Sequence, residues 1–149
     1  MQKLNQSYIN SVVRKALEED LRPKGDITTN LITAKDKIIE AKIIAKQDGV
    51  IAGLDFCKTA FKLIGKESVF TKKISDGKKI KKKKVIAIIK AKKKTILTAE
   101  RTALNFLSNS SGISTLTNRF VKKVRKKTKI CCTRKTTPNL RLLEKFAVK

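Results

Sequence analysis

The chain has 149 residues, 40% of them hydrophobic, which suffices for one ordinary domain or two small ones with a packed core. It has 37 Lys and Arg and 12 Asp and Glu, which gives a net charge of +25. Such an excess of positive charge is typical of proteins that bind nucleic acids, anionic membranes or anionic ligands. The chain has no His, so Ser-His-Asp and Cys-His catalysis and His-ligated metal sites are excluded within it.

The cellular setting is predicted from cysteine and hydrophobicity patterns. Three cysteines, two of them adjacent, cannot form a paired disulfide framework. No apolar run reaches the roughly 18 residues that a membrane span needs, and residues 1–6 contain no signal-peptide core. We therefore expect a soluble protein of the reducing cytoplasm that does not contact a membrane.

The N-terminal segment is predicted to be a helix followed by a polar turn. Ser7 can cap a helix that runs to about Leu21, where Pro23 and Gly25 end it. The turn at 26–29 has the residues of a helix cap and an Asx-turn, and the alternative is that it contacts a ligand.

Strand patterns dominate the next part of the chain. Residues 38–46, 69–74 and 85–89 are predicted to be strands. The intervening segment 55–64 has helical spacing, and Cys57 is predicted to lie in the core on its apolar face.

A lysine-rich run at 78–84 follows the turn at 75–77 and is the strongest candidate for binding nucleic acid. Aromatic residues are only 5% of the chain, and lysines are spread along all of it, which does not favour a dedicated nucleic-acid-binding face. We therefore interpret the run as a solvated sheet edge that lysines protect from aggregation.

Two helices are predicted after the last strand. The first opens at 98–101, with Thr98 and Arg101 in the positions of an N-cap and its N3 residue, and breaks at 108–112. The second spans about 113–127 with a basic outer face. Its predicted inward residues are Leu116, Phe120, Val121 and Val124.

The segment 129–138 has the pattern of a buried parallel strand that ends in ligand-binding groups. The apolar run 130–132 is the predicted strand. Arg134 offers a planar fork for a carboxylate or phosphate and Lys135 a mobile charge, so the segment suits a polyanionic ligand. The alternative is a basic loop capped by Pro138, with a helix at 140–148 in either case.

Helix, strand and helix in this order form one unit of an α/β barrel or of an open α/β sheet, in which sites gather at the carboxyl ends of the strands. The preceding part, to about residue 110, has the mixed pattern of an α+β layer domain. A closed barrel needs roughly 250 residues, so the barrel is expected to be truncated.

Ordered motifs resemble the quinolinate phosphoribosyltransferase family, also called nicotinate-nucleotide pyrophosphorylase (carboxylating). They include Leu-Thr-Ala-Glu-Arg-Thr-Ala-Leu-Asn-Phe-Leu at 97–107 and Thr-Arg-Lys-Thr-Thr-Pro-Asn-Leu-Arg at 133–141. The remaining matches are Glu-Asp-Leu at 19–21, Gly-Asp-Ile-Thr-Thr at 25–29, Ser-Gly-Ile-Ser-Thr-Leu-Thr at 111–117 and Glu-Lys-Phe-Ala-Val at 144–148.

The resemblance implies an α+β sandwich domain at 1–110, followed at 111–149 by the first βα unit of an open, TIM-like α/β barrel that is truncated. It also implies a reaction in the de novo route to NAD. Quinolinate and phosphoribosyl pyrophosphate would give nicotinate mononucleotide, pyrophosphate and carbon dioxide, with Mg²⁺ whose ligands lie outside this chain. Arg134 and Lys135 would bind substrate anions, and Thr133 and Thr136 would line the same pocket. Arg101 would reach into the site of a neighbouring subunit, because the family forms homodimers or multiples of dimers with shared active sites.

The chemistry of the reaction fits these residue types. Quinolinate carries two adjacent carboxylates, and the second substrate carries a phosphate and a pyrophosphate, so the bound complex needs a cluster of cations. Departure of pyrophosphate leaves an oxocarbenium-like ribose carbon, and charge grows on the leaving group, where cations stabilise it.

Departures from the family pattern lead to further expectations. Cys132 stands where the family usually has Asp, which affects how Arg134 is held, and Asn139 replaces Gly at a turn that Asn tolerates. The family's later His-Arg pair and its Lys, Glu and Asp ligands are absent, so the chain is predicted to be an inactive fragment on its own. The alternatives are a molybdenum-locus paralogue of the same fold and a basic nucleic-acid-binding module.

Overall fold

The computed structural model describes residues 4–33, 36–124 and 128–149. Five helices and five strands occur in these ranges. The helices are α1 (Gln6–Leu21), α2 (Ile27–Ile32), α3 (Leu54–Ile64), α4 (Lys93–Lys123) and α5 (Arg141–Val148). The strands are β1 (Ile38–Ile44), β2 (Gly49–Val50), β3 (Val69–Lys72), β4 (Lys79–Ile80) and β5 (Val85–Lys92).

The strands form two antiparallel sheets. A three-stranded sheet has the order β1-β5-β3, and Ile89 of β5 lies opposite Ala41 on one side and Phe70 on the other. Strands β2 and β4 form a separate two-stranded sheet. The three predicted strands are confirmed, with ends that differ by a few residues.

Helix α1 begins two residues earlier than predicted. Asn5 is its N-cap, because the Asn5 side chain accepts a hydrogen bond from the Ser7 backbone N–H at 2.9 Å. The prediction that Ser7 caps the helix is therefore wrong, and its hydroxyl instead donates to the same Asn5 oxygen. Residues at three- and four-residue spacing, Ile9, Val13 and Leu17, are buried as the periodicity predicted.

The core lies between the three-stranded sheet and helices α1, α3 and α4. Its largest fully buried side chains include Phe56, Leu54 and Ile89. Cys57 is fully buried among them, which confirms its predicted core position. Burial raises the pKa of the Cys57 thiol to about 12, so this cysteine stays protonated and inert at neutral pH.

Helix α4 runs unbroken through 108–112, where the sequence predicted a helix end. The small polar side chains here bond to a neighbouring segment instead of ending the helix. Thr115 Oγ1 accepts from the Val50 N–H at 2.9 Å, and Ser111 Oγ accepts from the Ala52 N–H at 3.1 Å. These bonds attach α4 to the segment 50–52, which also pairs with β4 and the residue before it, and the helix continues, so the prediction of a break is wrong. The predicted domain boundary at 110 lies inside α4 and stays a prediction.

The second half of α4 differs from the prediction in what it buries. Leu116, Phe120 and Val121 are 54%, 51% and 48% exposed, so the expectation that they point inward is wrong. In the described part of the chain no element covers this face. The predicted helix extended to 127, but residues 125–127 lie outside the described ranges.

Residues 130–132 are exposed and form no strand. A parallel strand needs a neighbour to accept and donate its backbone hydrogen bonds, and no described strand lies beside this segment. The prediction of a buried strand at this position is therefore wrong for the structure of this chain.

The lysine-rich run lies at the edge of the small sheet, as predicted. Lys78, Lys79 and residues 81–84 are exposed, whereas Ile80 between them is buried. Lys81 is paired with Asp48 at 2.8 Å, and the Lys82 backbone N–H donates to the same carboxylate.

None of the helices in the described ranges is both long and apolar enough to cross a bilayer.

Candidate anion-binding site

Residues 133–137 form a loop that is held by short-range hydrogen bonds. The Lys135 N–H donates to Thr133 Oγ1 at 3.1 Å, and the Thr136 N–H donates to the Arg134 carbonyl at 3.0 Å. These bonds turn the backbone tightly between Thr133 and Thr136. The side chains of Arg134 and Lys135 therefore project from a compact turn and not from the end of an extended strand.

Helix α5 anchors the same loop. The Glu144 carboxylate accepts from the Thr137 N–H at 3.3 Å, and Arg141 Nε donates to Thr136 Oγ1 at 3.1 Å. Asn139 has a φ of 65°, so this position needs the left-handed conformation that Asn adopts more readily than most residues. The expectation that the turn survives with Asn at this position is confirmed.

Helix α5 is itself fixed to the body of the protein. Leu143 and Ala147 are buried, and the Tyr8 hydroxyl donates to the Asn139 carbonyl at 3.2 Å. The loop thus connects through α5 to helices α1 and α4.

Both cationic side chains of the loop face solvent. Arg134 and Lys135 are exposed, and among the described residues neither makes an ion pair or a side-chain hydrogen bond. Cys132, at the position where an Asp was expected, is exposed and cannot hold Arg134 by charge. Their charges are available to an anion.

Arg101 occupies a different surface, on α4. Its side chain is 76% exposed, and its Nη1 donates to Asp20 Oδ1 at 3.1 Å. In the described parts of one chain, no hydrogen bond or ion pair joins Arg101 to residues 133–136. A single chain therefore presents two separate cationic features, the loop 133–137 and Arg101.

Asp26 caps α2 and connects it to α4. Its carboxylate accepts from the Thr29 N–H at 2.9 Å and from the Thr98 hydroxyl at 2.9 Å. Hydrogen bonds from Thr29, more than any other cause, hold the pKa of Asp26 below its ordinary value, and the charge of Arg101 adds to them. The predicted capping role of the 26–29 turn is confirmed.

Thr98 lies inside α4 and does not cap it. Strand β5 leads directly into the helix at Lys93, and the Asp36 carboxylate accepts from the Lys94 N–H at 3.0 Å. The predicted N-cap was wrong because a residue 58 positions earlier supplies the acceptor, which no local pattern shows.

A groove of about 610 Å³ lies between the end of α1 and α4. Asp20 lines it together with the amide side chains of Asn105 and Asn109, and Leu140 completes it. Sequence reasoning gave no role to Asp20. The available signal was the Glu-Asp-Leu motif at 19–21, which was recognised as a family feature only.

The possible protein ligands of a metal ion are scattered in the part of the chain that the structure describes. No group of three or more His, Cys, Asp or Glu side chains there is placed to hold one. These residues therefore provide no cage of three protein ligands for Mg²⁺.

The comparison with protein-family models accounts for the chain from residue 26 onward. Residues 26–111 match the model described as quinolinate phosphoribosyl transferase, N-terminal domain, and residues 113–149 match its C-terminal domain. The chain belongs to the quinolinate phosphoribosyltransferase family. The resemblance drawn from the motifs is confirmed.

Curated relatives of the family agree. The nicotinate-nucleotide pyrophosphorylase [carboxylating] of Mycobacterium leprae is 37% identical over 142 residues, which is 92% of this chain and 49% of that protein. A probable enzyme of the same name from Bacillus subtilis is 36% identical over 149 residues, 98% of this chain and 50% of that protein. The chain spans about half the length of these relatives.

Solved structures share the fold. The nicotinate-nucleotide pyrophosphorylase from Francisella tularensis has a TM-score of 0.91 at 37% identity, over 98% of this chain and 52% of that one. NadC from Streptococcus pyogenes has a TM-score of 0.94 at 35% identity, over 99% and 53%. The predicted fold class, an α+β domain followed by part of a barrel, is confirmed. The paralogue and nucleic-acid alternatives are not favoured by these matches.

Proposed function

We propose that this protein acts in phosphoribosyl transfer to quinolinate with decarboxylation, giving nicotinate mononucleotide, pyrophosphate and carbon dioxide for NAD biosynthesis. It would thus be a pentosyltransferase. The observation that carries the proposal is the loop 133–137, in which the exposed side chains of Arg134 and Lys135 make no ion pair with the residues that the structure describes. Membership of the family supports the choice of substrates, because its named relatives are enzymes of this reaction.

The loop residues suit the binding of two kinds of anion. The Arg134 fork matches the geometry of a carboxylate, and Lys135 provides a point charge for a second carboxylate or a phosphate. Thr133 Oγ1 already accepts a hydrogen bond from the Lys135 N–H, so its hydroxyl hydrogen is left to donate to a ligand. Thr136 Oγ1 accepts from Arg141 Nε at 3.1 Å and donates to the Arg134 carbonyl at 3.5 Å, so within the chain this hydroxyl helps to shape the loop.

The quinolinate ring would be held by these cations in the orientation that places its nitrogen toward the ribose carbon. Holding two reactants in this geometry lowers the barrier by removing their relative motion before the reaction. As the nitrogen forms its bond to the ribose, pyrophosphate leaves, and nearby cationic side chains stabilise its charge. Loss of carbon dioxide then leaves the electron pair of the broken C–C bond on the ring carbon, where the adjacent quaternised nitrogen stabilises it until that carbon takes a proton from solvent.

Arg101 would complete the cationic cluster from a neighbouring subunit. Within one chain it makes no contact with the loop among the described residues, whereas most of its guanidinium faces outward. A homodimer, or a multiple of one, that brings Arg101 of one copy to the loop 133–137 of another would give each site three cations. Mg²⁺ would arrive with phosphoribosyl pyrophosphate and neutralise the pyrophosphate charge when bound.

We place the protein in the cytoplasm. Cys131 and Cys132 are exposed free thiols, and such thiols persist in a reducing compartment.

The test is release of labelled carbon dioxide from quinolinate by a chimera. In it, these 149 residues precede the part of the Bacillus subtilis relative that lies beyond its match to this chain. Arg134→Ala and Lys135→Ala should each lower kcat/KM by roughly 10- to 100-fold, the loss of one charge-assisted hydrogen bond. Lys129→Ala, an exposed lysine just before the loop, is the matched control and should leave kcat/KM unchanged.

The proposal fails if the chimera releases no carbon dioxide while the Bacillus subtilis relative does so under the same conditions. It also fails if an active chimera tolerates both loop substitutions as well as it tolerates the Lys129 control.

A further inference from the structure

The C-terminal end of α1 carries an acidic cluster that the helix itself does not favour. Glu18, Glu19 and Asp20 occupy its last turn, which contains no basic residue. Carboxylates at this end meet the negative pole of the helix dipole and therefore destabilise the helix. Glu18 is partly compensated by Arg22 at 3.6 Å, but Asp20 is compensated from outside the helix.

Asp20 lies beneath the guanidinium of Arg101. The Asp20 side chain is 24% exposed, whereas that of Arg101 is 76% exposed, so the carboxylate is covered and the guanidinium faces solvent. The contact of 3.1 Å uses Nη1 alone. A guanidinium has five N–H donors, so those on its outer edge are left for a ligand.

A second connection fixes the backbone under Arg101. Thr98, one helical turn before Arg101, donates its hydroxyl to the Asp26 carboxylate at 2.9 Å. Asp26 also receives the Thr29 N–H, which ties the start of α2 to this turn of α4. Asp20 thus holds the guanidinium of Arg101. Asp26, through Thr98, holds the turn of α4 that precedes Arg101.

We infer that Asp20 is a positioning residue, which orients the Arg101 guanidinium so that its outward donors meet a carboxylate of the substrate. This inference rests on the proposed function, in which Arg101 contacts the pyridine diacid. A long arginine side chain otherwise loses conformational freedom when it binds a ligand, and a partner that orders it beforehand reduces that loss. An exposed ion pair adds little to folding stability, so the role of Asp20 is separable from the fold.

The first test measures the motion of Arg101 in the 149-residue chain without any substrate. Relaxation of the ¹⁵Nε nucleus of Arg101 reports how firmly the guanidinium is held. Asp20→Asn should increase this motion markedly, whereas Glu18→Gln, which breaks the neighbouring pair with Arg22, should leave it unchanged. Equal motion of Arg101 in Asp20→Asn and wild type would overturn the inference.

The second test is kinetic and uses the chimera described above. Asp20→Asn should raise KM for quinolinate roughly two- to fivefold, the size expected of an exposed ion pair, with kcat and the unfolding midpoint nearly unchanged. In an Arg101→Ala background the same substitution should have no further effect, because Asp20 acts through Arg101. An effect of Asp20→Asn that is equally large in both backgrounds contradicts the inference.

The two failures are distinguishable. An inactive chimera refutes the proposed function, and the motion of Arg101 still decides whether Asp20 positions it. A normal KM in Asp20→Asn, together with a raised KM in Arg101→Ala, refutes the role of Asp20 alone.

Discussion

Asp76 lies in a turn and also accepts a hydrogen bond from the start of a helix that lies 22 residues earlier in the sequence. The sequence predicted a turn at 75–77, and Gly77 has the positive φ of 80° that such a turn uses. The Asp76 carboxylate also accepts from the Leu54 N–H at 3.1 Å, at the start of α3. Gly53, the N-cap of α3, has no side chain to do so, and Asp76 takes its place.

The pH dependence of stability tests this contact. Burial raises the pKa of Asp76 above its unfolded value, more than the Leu54 hydrogen bond lowers it. The neutral carboxyl is therefore favoured by folding, and its stabilising contribution is lost as pH rises through the folded pKa. Asp76→Asn keeps an acceptor without the charge, so its free energy of unfolding relative to wild type should increase from about pH 3 to about pH 7.

Urea denaturation at each pH measures this difference. Asp76→Ala is the companion variant and should be less stable by about 1–3 kcal/mol, because the buried Leu54 N–H loses its partner. A difference between the Asn variant and wild type that does not vary with pH would show that Asp76 is not destabilised by burial.

At the scale of elements, the continuity of α4 is the main departure from local sequence patterns. Serines and a glycine at 108–112 are typical of a helix end, yet Ser111 and Thr115 bond to residues 50 and 52 across the structure. Tertiary hydrogen bonds and packing outweigh the weak intrinsic preference against a helix here.

Substitution of Gly112 tests this continuity. A Cβ at Gly112 would meet no atom within 4 Å, so Gly112→Ala should stabilise the protein by up to about 1 kcal/mol, as expected inside an exposed helix. Thermal or urea unfolding measures the change. Destabilisation would indicate that the helix ends at Gly112 in solution, where a left-handed glycine would be needed.

Gly53→Ala is the contrasting variant. Gly53 has a φ of 95°, and a Cβ there would lie 3.0 Å from Ser110 Oγ and 3.2 Å from the Phe106 carbonyl. We expect a loss of more than about 1 kcal/mol from strain and crowding. The opposite signs at Gly112 and Gly53 distinguish a helix interior from a close helix–loop contact.

At the scale of the whole molecule, the net charge of +25 acts on stability. Repulsion between like charges opposes the compact state, and salt screens it over about 10 Å at 0.1 M. The unfolding midpoint should therefore rise when sodium chloride is increased from about 0.01 M to about 0.3 M, and potassium chloride should act alike. Differential scanning calorimetry measures it. A fall would show that local pairs such as Lys72–Asp55, at 2.6 Å, outweigh the overall repulsion.

The sequence by itself determined the family and the types of the more periodic elements, and it marked the candidate residues Arg134 and Lys135. Apolar periodicity is local, so α1, α3 and the three longer strands were recognisable from it. The order of the motifs identified the family without any structure. Arg134 and Lys135 were marked by the apolar-to-basic transition at 133–137, although the strand expected before them is absent.

Only the tertiary structure decided which distant groups meet. Asp20 and Arg101 are 81 residues apart, and Lys94 receives its cap from Asp36. The exposure of Leu116 and Phe120 depends on what packs against α4, which periodicity alone does not reveal. The physical reason is the same in each case: a hydrogen bond or a buried face requires a partner, and packing rather than neighbouring sequence brings the partner into place.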